Sequence, residues 1–254
     1  MPVVWRGRSQ LTGQPIMLIV SRRKSRNRKT ADMAQTFIVR DTPSSPWQHV
    51  KAARARLRRR PDHGKQDEMS AVCGSCPIKE ACYVTWEKSV TSTHKAHRGQ
   101  RVATPDELRR AIRGRAIRMG AAGDPAAVPF EVWEDLLRYG NGFTGYSHVW
   151  KTKPEFRSHL MASVESRQGK ADANALGFRT FRIVPDGEGK QKDEIWCPAT
   201  PEGGLRTTCA ECQLCNGKKN NEDHRRSVAV RAHGALRKHL AFRVNGEYAT
   251  AVTD

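Results

Sequence analysis

Apolar and polar residues alternate in three short runs over positions 1–40, PVVWRGR, PIMLIV and MAQTFIVRD, the first two joined by the turn TGQP. A period of two bounded by turn residues predicts a small β-meander. KAARARLRRRP at 51–61 reads as a helix that Pro61 ends, and PDHGKQDEMS reads as a linker. From position 104 the period lengthens. TPDELRRAIRG places Thr104 as N-cap, Pro105 at the first helical position and Glu107 for a capping box, and a strand, AIRMGA, follows. PFEVWEDLLRYGNG predicts a helix that buries Phe130, Trp133 and Leu137 and stops at glycines. FTGYSHVW (strand), KPEFRSH (short helix), LMASVES (strand), RQGKADANALG (helix), FRTFRIVP, EIWCPA and SVAVRAHG (strands) complete the series.

Strand and helix units of this length favour a parallel sheet, because a parallel partner must be reached by a crossover. The expected fold is therefore α/β: an incomplete or irregular parallel α/β barrel with an N-terminal β-meander and a basic extension, with an open doubly wound sheet as the alternative. The expected division is a basic meander and helix over 1–65 and a cysteine-rich α/β domain over 66–254. Ligands gather at the carboxyl ends of parallel strands, and the strand ends here carry Gly123-Asp124, His148, Glu165, Cys197 and His233. Asp124 and Glu165 are the acid–base candidates; His148 and His233 flank apolar segments, as structural histidines do. Most of the six tryptophans sit where a core residue is expected.

Charge changes the picture more than size does. The 254 residues contain 45 Lys and Arg against 26 Asp and Glu, a net charge of +19, so a polyanionic partner is expected and nucleic acid is the commonest. The basic residues concentrate in SRRKSRNRKT, with Arg22, Arg23, Lys24, Arg26, Arg28 and Lys29, and on the 51–61 segment, with Arg54, Arg56, Arg58, Arg59 and Arg60. These are the expected phosphate contacts, and Trp47 is the candidate for base stacking. No apolar run is long enough to span a membrane, and MPVVWRGRSQ does not have the pattern of a secretion leader, so a cytoplasmic protein is expected. Walker, G-x-G-x-x-G, G-x-S-x-G and H-E-x-x-H motifs are all missing, which leaves nucleotide hydrolysis, Rossmann redox chemistry and serine hydrolysis without support.

All seven cysteines fall in two groups: Cys73, Cys76 and Cys82, then Cys197, Cys209, Cys212 and Cys215. In a reducing compartment such clustering points to metal rather than disulfides. The second group reads C-P-A followed by C-x-x-C-x-x-C, and four thiolates suit a tetrahedral zinc or a [4Fe–4S] cube. Successive steps of three, with a remote Cys-Pro, are the bacterial ferredoxin habit. LCNGKKNNEDH also resembles the metal-knuckle end of an HNH nuclease, but the upstream histidine base that such a site needs is missing between Trp196 and Cys215. The first group offers three thiols. His94 or His97 would complete a structural zinc site, whereas a four-iron cube on three thiolates keeps one iron open, the position where radical S-adenosylmethionine enzymes bind their cosubstrate. The spacing here is C-x2-C-x5-C instead of the usual C-x3-C-x2-C.

The order of motifs resembles a group of cysteine-rich families carried by bacteriophages and plasmids, similar in pattern to phage proteins with a radical S-adenosylmethionine-like barrel and largely of unassigned function. The resemblance rests on Asn27, Lys29 and Thr30; Cys76-Pro77 and Cys82-Tyr83; Gly123-Asp124; GFTGYSHVW; SVES before ADANALG; Cys197-Pro198-Ala199; the C-x-x-C-x-x-C; and Ala232-His233-Gly234. Ala31 and Gly74 depart from it, standing where glycine and proline are usual. It implies a mobile-element iron–sulfur enzyme acting on or beside nucleic acid in a bacterial host cytoplasm. Cys73, Cys76 and Cys82 would hold an open cluster that takes S-adenosylmethionine, and the other four cysteines an auxiliary one. The competing expectation is a non-catalytic nucleic-acid-binding protein for replication or regulation, stabilised by zinc. Resemblance of fold supplies no substrate.

Overall fold

The meander forms as the alternation predicts. In the computed structural model, which describes residues 1–25, 27–30, 32–43, 69–78, 82, 84, 86–185 and 187–232, β1 (Val3–Arg8) pairs antiparallel with β2 (Pro15–Val20), and β2 with β3 (Ala34–Arg40). Ile16 to Val20 are fully buried. An unbroken apolar run of this kind marks a strand covered on both faces, and β2 is central between β1 and β3. AIRMGA departs from expectation. It forms β4 (Ile117–Ala122), which pairs parallel with β3 of the meander. The long crossover that a parallel pair requires carries α1 (Ser70–Cys73), α2 (Thr91–His97) and α3 (Pro105–Ile112).

The cap on α3 is the one its sequence specifies. Thr104 Oγ1 accepts from the Glu107 N–H and Glu107 Oε2 accepts from the Thr104 N–H, at 3.3 and 2.8 Å, while Arg101 donates twice to the same carboxylate. Its hydrogen bonds with Arg101 and Thr104 pull the Glu107 carboxyl down to about 2. In α4 (Phe130–Leu137) the buried pair is Trp133 with Leu136; Phe130 and Leu137, expected inside, are only half-buried. Trp133 fixes the helix rotation, because its Nε1 donates to Pro125 O at 2.9 Å and Leu136 is then the next residue on its face.

The chain divides into two compact units, one from the described parts of Met1–Lys24, Asp32–Ser75 and Val84–Gly142, the other from Ser25–Ala31, Cys76–Tyr83 and Phe143–Asp254. A cut after residue 65 would run through the first unit, since β3 and β4 lie on either side of it and share a sheet.

The second unit holds β5 (Phe143–Thr144), β6 (Tyr146–Ser147), β7 (Met161–Val164), α5 (Arg167–Ala175), β8 (Thr180–Val184), β9 (Glu194–Trp196), α6 (Cys209–Cys212) and β10 (Ser227–Arg231). Its sheet runs β6-β7-β8-β10-β9 with every pair parallel. The parallel α/β expectation is met here, but β6 and β9 are edges, so among the described residues this sheet is open and no barrel closes. α5 packs Ala173 onto Ala162 and Val164 of β7, with Trp150 and Phe178 completing the cluster. Because all strands point one way, their carboxyl ends present His148 after β6, Glu165 after β7 and Cys197 after β9 along one edge.

Ion pairs tie the loops of this unit to its sheet. Lys170 is buried and reaches Asp193 at 2.5 Å; Arg182 meets Glu188 at 2.6 Å and Glu194 at 2.7 Å. Burial alone would raise the carboxyls of Asp193 and Glu188. Hydrogen bonds from Lys170 to the first, and from Arg167 and Arg182 to the second, outweigh it and hold both below the usual range. The Arg225 hydrogen bond holds Asp223 lower still. A carboxyl depressed on folding contributes stability above its unfolded pKa, about 3.9 for Asp and 4.3 for Glu, and loses it as pH falls through the folded value. The second unit is therefore expected to be at full strength at neutral pH and to weaken below about pH 4. A circular-dichroism melt that does not fall between neutral and acid pH would contradict these pairings.

Candidate metal centre

β9 delivers the first thiol. The Cys197 N–H donates to Ala229 O at 2.9 Å, which continues the β9–β10 ladder one residue past Trp196. The chain then turns back on itself: the Thr200 N–H and Oγ1 donate to the Cys197 carbonyl at 3.0 and 2.8 Å. Gly203 packs against the same carbonyl so closely that a Cβ there would lie 2.0 Å from Cys197 O, and only glycine fits. This turn leads to Thr208, the N-cap of α6, which exchanges hydrogen bonds with Glu211 in a capping box.

One helical turn sets Cys209 and Cys212 three residues apart on one face. Gln213, at φ 46 in the left-handed region, ends the helix and redirects the chain to Leu214 and Cys215. Arg179 holds that bend. It is buried on β8's approach, and its guanidinium donates to the carbonyls of Leu214 and Asn216, both at 2.9 Å, on either side of Cys215; it also reaches Arg225 O at 3.2 Å and Arg226 O at 2.8 Å. The Gly145 N–H donates to Cys215 O at 2.7 Å.

The outcome is a small cavity of about 20 Å³ whose lining includes Cys197, Cys209, Cys212 and Cys215 with apolar Leu214 and Val228. All four thiols are half-buried. Among the described residues no three His, Cys, Asp or Glu side chains form the ligand group of a single metal ion. A tetrahedral zinc at about 2.3 Å from each sulfur draws its thiolates to about 3.8 Å of one another. A four-iron cube binds each thiolate at its own corner, so the sulfurs stand around a filled volume rather than a point. Burial pushes the Cys197 thiol above its ordinary value, opposed by the Ala199 N–H and by the charge of Lys29. A bound cationic group is what would favour its thiolate.

The first cysteine group is distributed differently. Cys73 ends α1 and belongs to the first unit, whereas Cys76 and Cys82 belong to the second. Cys76 packs, as Cys197 does, against the cluster of Ile78, Ile183 and Val230. It also hydrogen-bonds His148, whose Nε2 lies 3.1 Å from Glu165 Oε1. Burial alone would favour the neutral ring, but the hydrogen bonds and negative charge of Cys76 and Glu165 prevail and hold the His148 imidazole well above its ordinary pKa. A thiol, an imidazole and a carboxylate thus follow one another at the carboxyl edge of the parallel sheet. The sequence placed His148 and Glu165 at strand ends but gave no signal that they pair.

The remaining candidates fall as follows. His94 and His97 are buried in α2, with His94 Nε2 2.8 Å from Thr42 O and His97 Nδ1 2.6 Å from Thr93 O, one main-chain contact for each ring. Asp124, read as an acid–base group, is buried and caps the turn at Pro125–Ala127, its Oδ1 accepting from the Ala126 N–H at 3.0 Å. A carboxylate in this position has a structural role as a cap. Arg22 and Arg23 are exposed in the first unit, and Lys24 there is ion-paired with Asp32; Arg28 and Lys29 lie in the second unit. Arg26, Trp47, Arg54, Arg56, Arg58, Arg59, Arg60 and His233 lie outside the described residues. Two site residues escaped the sequence reading altogether. Thr208 was legible as the start of a T-x-x-E capping box; Arg179 carried no local signal.

Comparison with protein-family models, with curated proteins and with solved structures gave no match.

Proposed function

We propose that this chain is an iron–sulfur protein that acts on or beside nucleic acid, with Cys197, Cys209, Cys212 and Cys215 as ligands of a four-iron cluster. The observation that carries the reading is the convergence of four thiols, from the end of β9 and from the α6 bend, on one cavity. The residues suit the group in kind. They supply four soft ligands, an apolar wall that keeps water out, and a lysine whose charge acts on Cys197.

The catalytic form of this reading is a radical S-adenosylmethionine-like enzyme, with Cys73, Cys76 and Cys82 holding a second cluster. Such a cluster, when bound, supplies an open iron and an electron for cleavage of S-adenosylmethionine. Support for it is the all-parallel sheet with His148, Glu165 and Cys197 at its carboxyl ends, where α/β folds place ligands. This chain's own part there is to hold the Cys76 sulfur against the His148 ring, whose Nε2 lies 3.1 Å from Glu165. The net charge of +19 supports the nucleic-acid partner.

Protein purified without oxygen is expected to be brown, with about four irons per chain from the second cysteine group and about eight if both groups load. Cys212→Ala should remove about four. Colourless protein with stoichiometric zinc would replace this reading with the zinc-stabilised binder, and absence of 5′-deoxyadenosine after reduction with S-adenosylmethionine would remove the catalytic form. Neutralising Arg22, Arg23, Lys24, Arg26, Arg28 and Lys29 together should flatten the salt dependence of oligonucleotide binding; an unchanged slope would exclude the segment from the contact.

A further inference from the structure

A second cavity in the same unit, about 350 Å³, shares Ala199 with the thiol cavity. Three cations line it: Arg28 and Lys29 from the segment between β2 and β3, and Arg206 from the turn that follows Cys197. Among the described residues none of the three forms an ion pair. The acid in the wall, Glu211, is engaged, since its Oε2 accepts from the Thr208 N–H at 3.0 Å, Thr208 Oγ1 at 3.1 Å and Thr207 Oγ1 at 3.0 Å. Gly204, at φ 86, lets the Arg206 side chain lie against it; a Cβ there would stand 3.1 Å from Arg206 Nε. Between them Leu205 is held at φ 52, in the left-handed region, with 51% of its surface exposed. Strained backbone that keeps an apolar side chain in solvent is characteristic of ligand clamps.

Unpaired cations beside a forced apolar surface define a ligand with two ends. Arginine forks and a lysine charge match phosphate oxygens, and Leu205 offers packing to a flat ring. A carboxylate or sulfate would use the cations and leave Leu205 bare. We propose that this cavity binds a nucleoside phosphate unit, its phosphate on Arg28, Lys29 and Arg206 and its base against Leu205. The unit comes from a free nucleotide or from the end of a nucleic-acid strand. Because Ala199 is common to both cavities and the charge of Lys29 acts on Cys197, the bound unit lies beside the thiols. The inference deepens the function proposed above and rests on its nucleic-acid side only; the binding site needs no cluster.

Calorimetric titration of the full chain tests it, with adenosine 5′-monophosphate, adenosine, inorganic phosphate, and a short single strand carrying or lacking a 5′-phosphate. The phosphorylated member of at least one pair, nucleotide or strand, should bind at least about tenfold more tightly than its unphosphorylated counterpart. Lys29→Gln with Arg206→Gln should abolish that preference. Leu205→Ser should weaken the nucleotide about threefold and leave inorganic phosphate unchanged. Equal affinity for the nucleotide and the phosphorylated strand identifies a free nucleotide as sufficient; binding of the strand alone identifies a strand end. Should the glutamine variants melt early, Arg206→Lys, which keeps the charge, must retain the preference. No preference for phosphate, or its survival in a stably folded glutamine variant, overturns the proposal. If salt-dependent binding of a long oligonucleotide persists meanwhile, the proposed function stands without this cavity; if that is lost too, the nucleic-acid side of the proposed function falls with it.

Discussion

Replacing Arg182 by methionine is expected to destabilise the second unit by about 3–5 kcal/mol, the usual cost of leaving a buried charge without its partner. Arg182 and Glu194 are both fully buried, and they meet through two bonds, Nε to Oε1 at 2.7 Å and Nη2 to Oε2 at 2.8 Å. Arg182 Nη1 reaches Glu188 at 2.6 Å as well, so one guanidinium bonds to two carboxylates, the second of which Arg167 also meets. The pair links neighbouring parts of the sheet, because Arg182 lies on β8 and Glu194 on β9, with β10 between them. Lysine will not substitute, since a point charge cannot match the two oxygens of Glu194 at once. Removing both partners, Arg182→Met with Glu194→Leu, should recover most of the loss, because it takes away the uncompensated charge along with the attraction. Hydrogen exchange at the amides of β8, β9 and β10 reads the change locally. Exchange as slow in Arg182→Met as in the parent would mean that Glu194 has another partner.

If the second cysteine group holds the proposed cluster, Arg179→Met is expected to strip most of that iron while every cysteine remains in place. Its guanidinium binds four main-chain carbonyls, two of them flanking Cys215, and so converts the bend after α6 from a loop that must be ordered on ligand binding into one already formed. Charge-assisted bonds of this kind contribute about 1.5–3 kcal/mol each and are not additive; about 2–4 kcal/mol is expected for the residue. That loss falls on the cluster-binding conformation and should appear as iron lost from the second cysteine group in anaerobically purified protein, with a lower melting temperature. Arg179→Lys should fail similarly, because three donors on a flexible stem cannot span four carbonyls. Full iron content in Arg179→Met would show that the cysteine bend holds its shape without the clamp.

Both residues were invisible in the sequence, and they show where local reading stops. FRTFRIVP was legible as a strand from its alternation and its proline, yet Arg179 and Arg182 within it looked like two more basic residues in a basic chain. Only the pairing of β8 with β10, and of β10 with β9, brings Arg182 to Glu194. AIRMGA was a strand by pattern, but the pattern could not choose its sheet. α4 was a helix by period, and one hydrogen bond from Trp133 selected Leu136 over Leu137 for the core.

By itself the sequence determined whatever is settled within a few residues: the meander, the capped α3, the series of short strands and helices, and cysteine spacing fit for metal. Periodicity, caps and turns act between neighbours, so they are written where they operate. Tertiary structure alone decided that Cys197 joins Cys209, Cys212 and Cys215 around one cavity, that Cys73 and Cys76 fall in different units, that His148 pairs with Glu165, and that Arg206 stands with Arg28 and Lys29. Such meetings depend on closing long loops and on how sheets pack, and the free energy of those steps is spread over the whole unit rather than carried by the residues that meet.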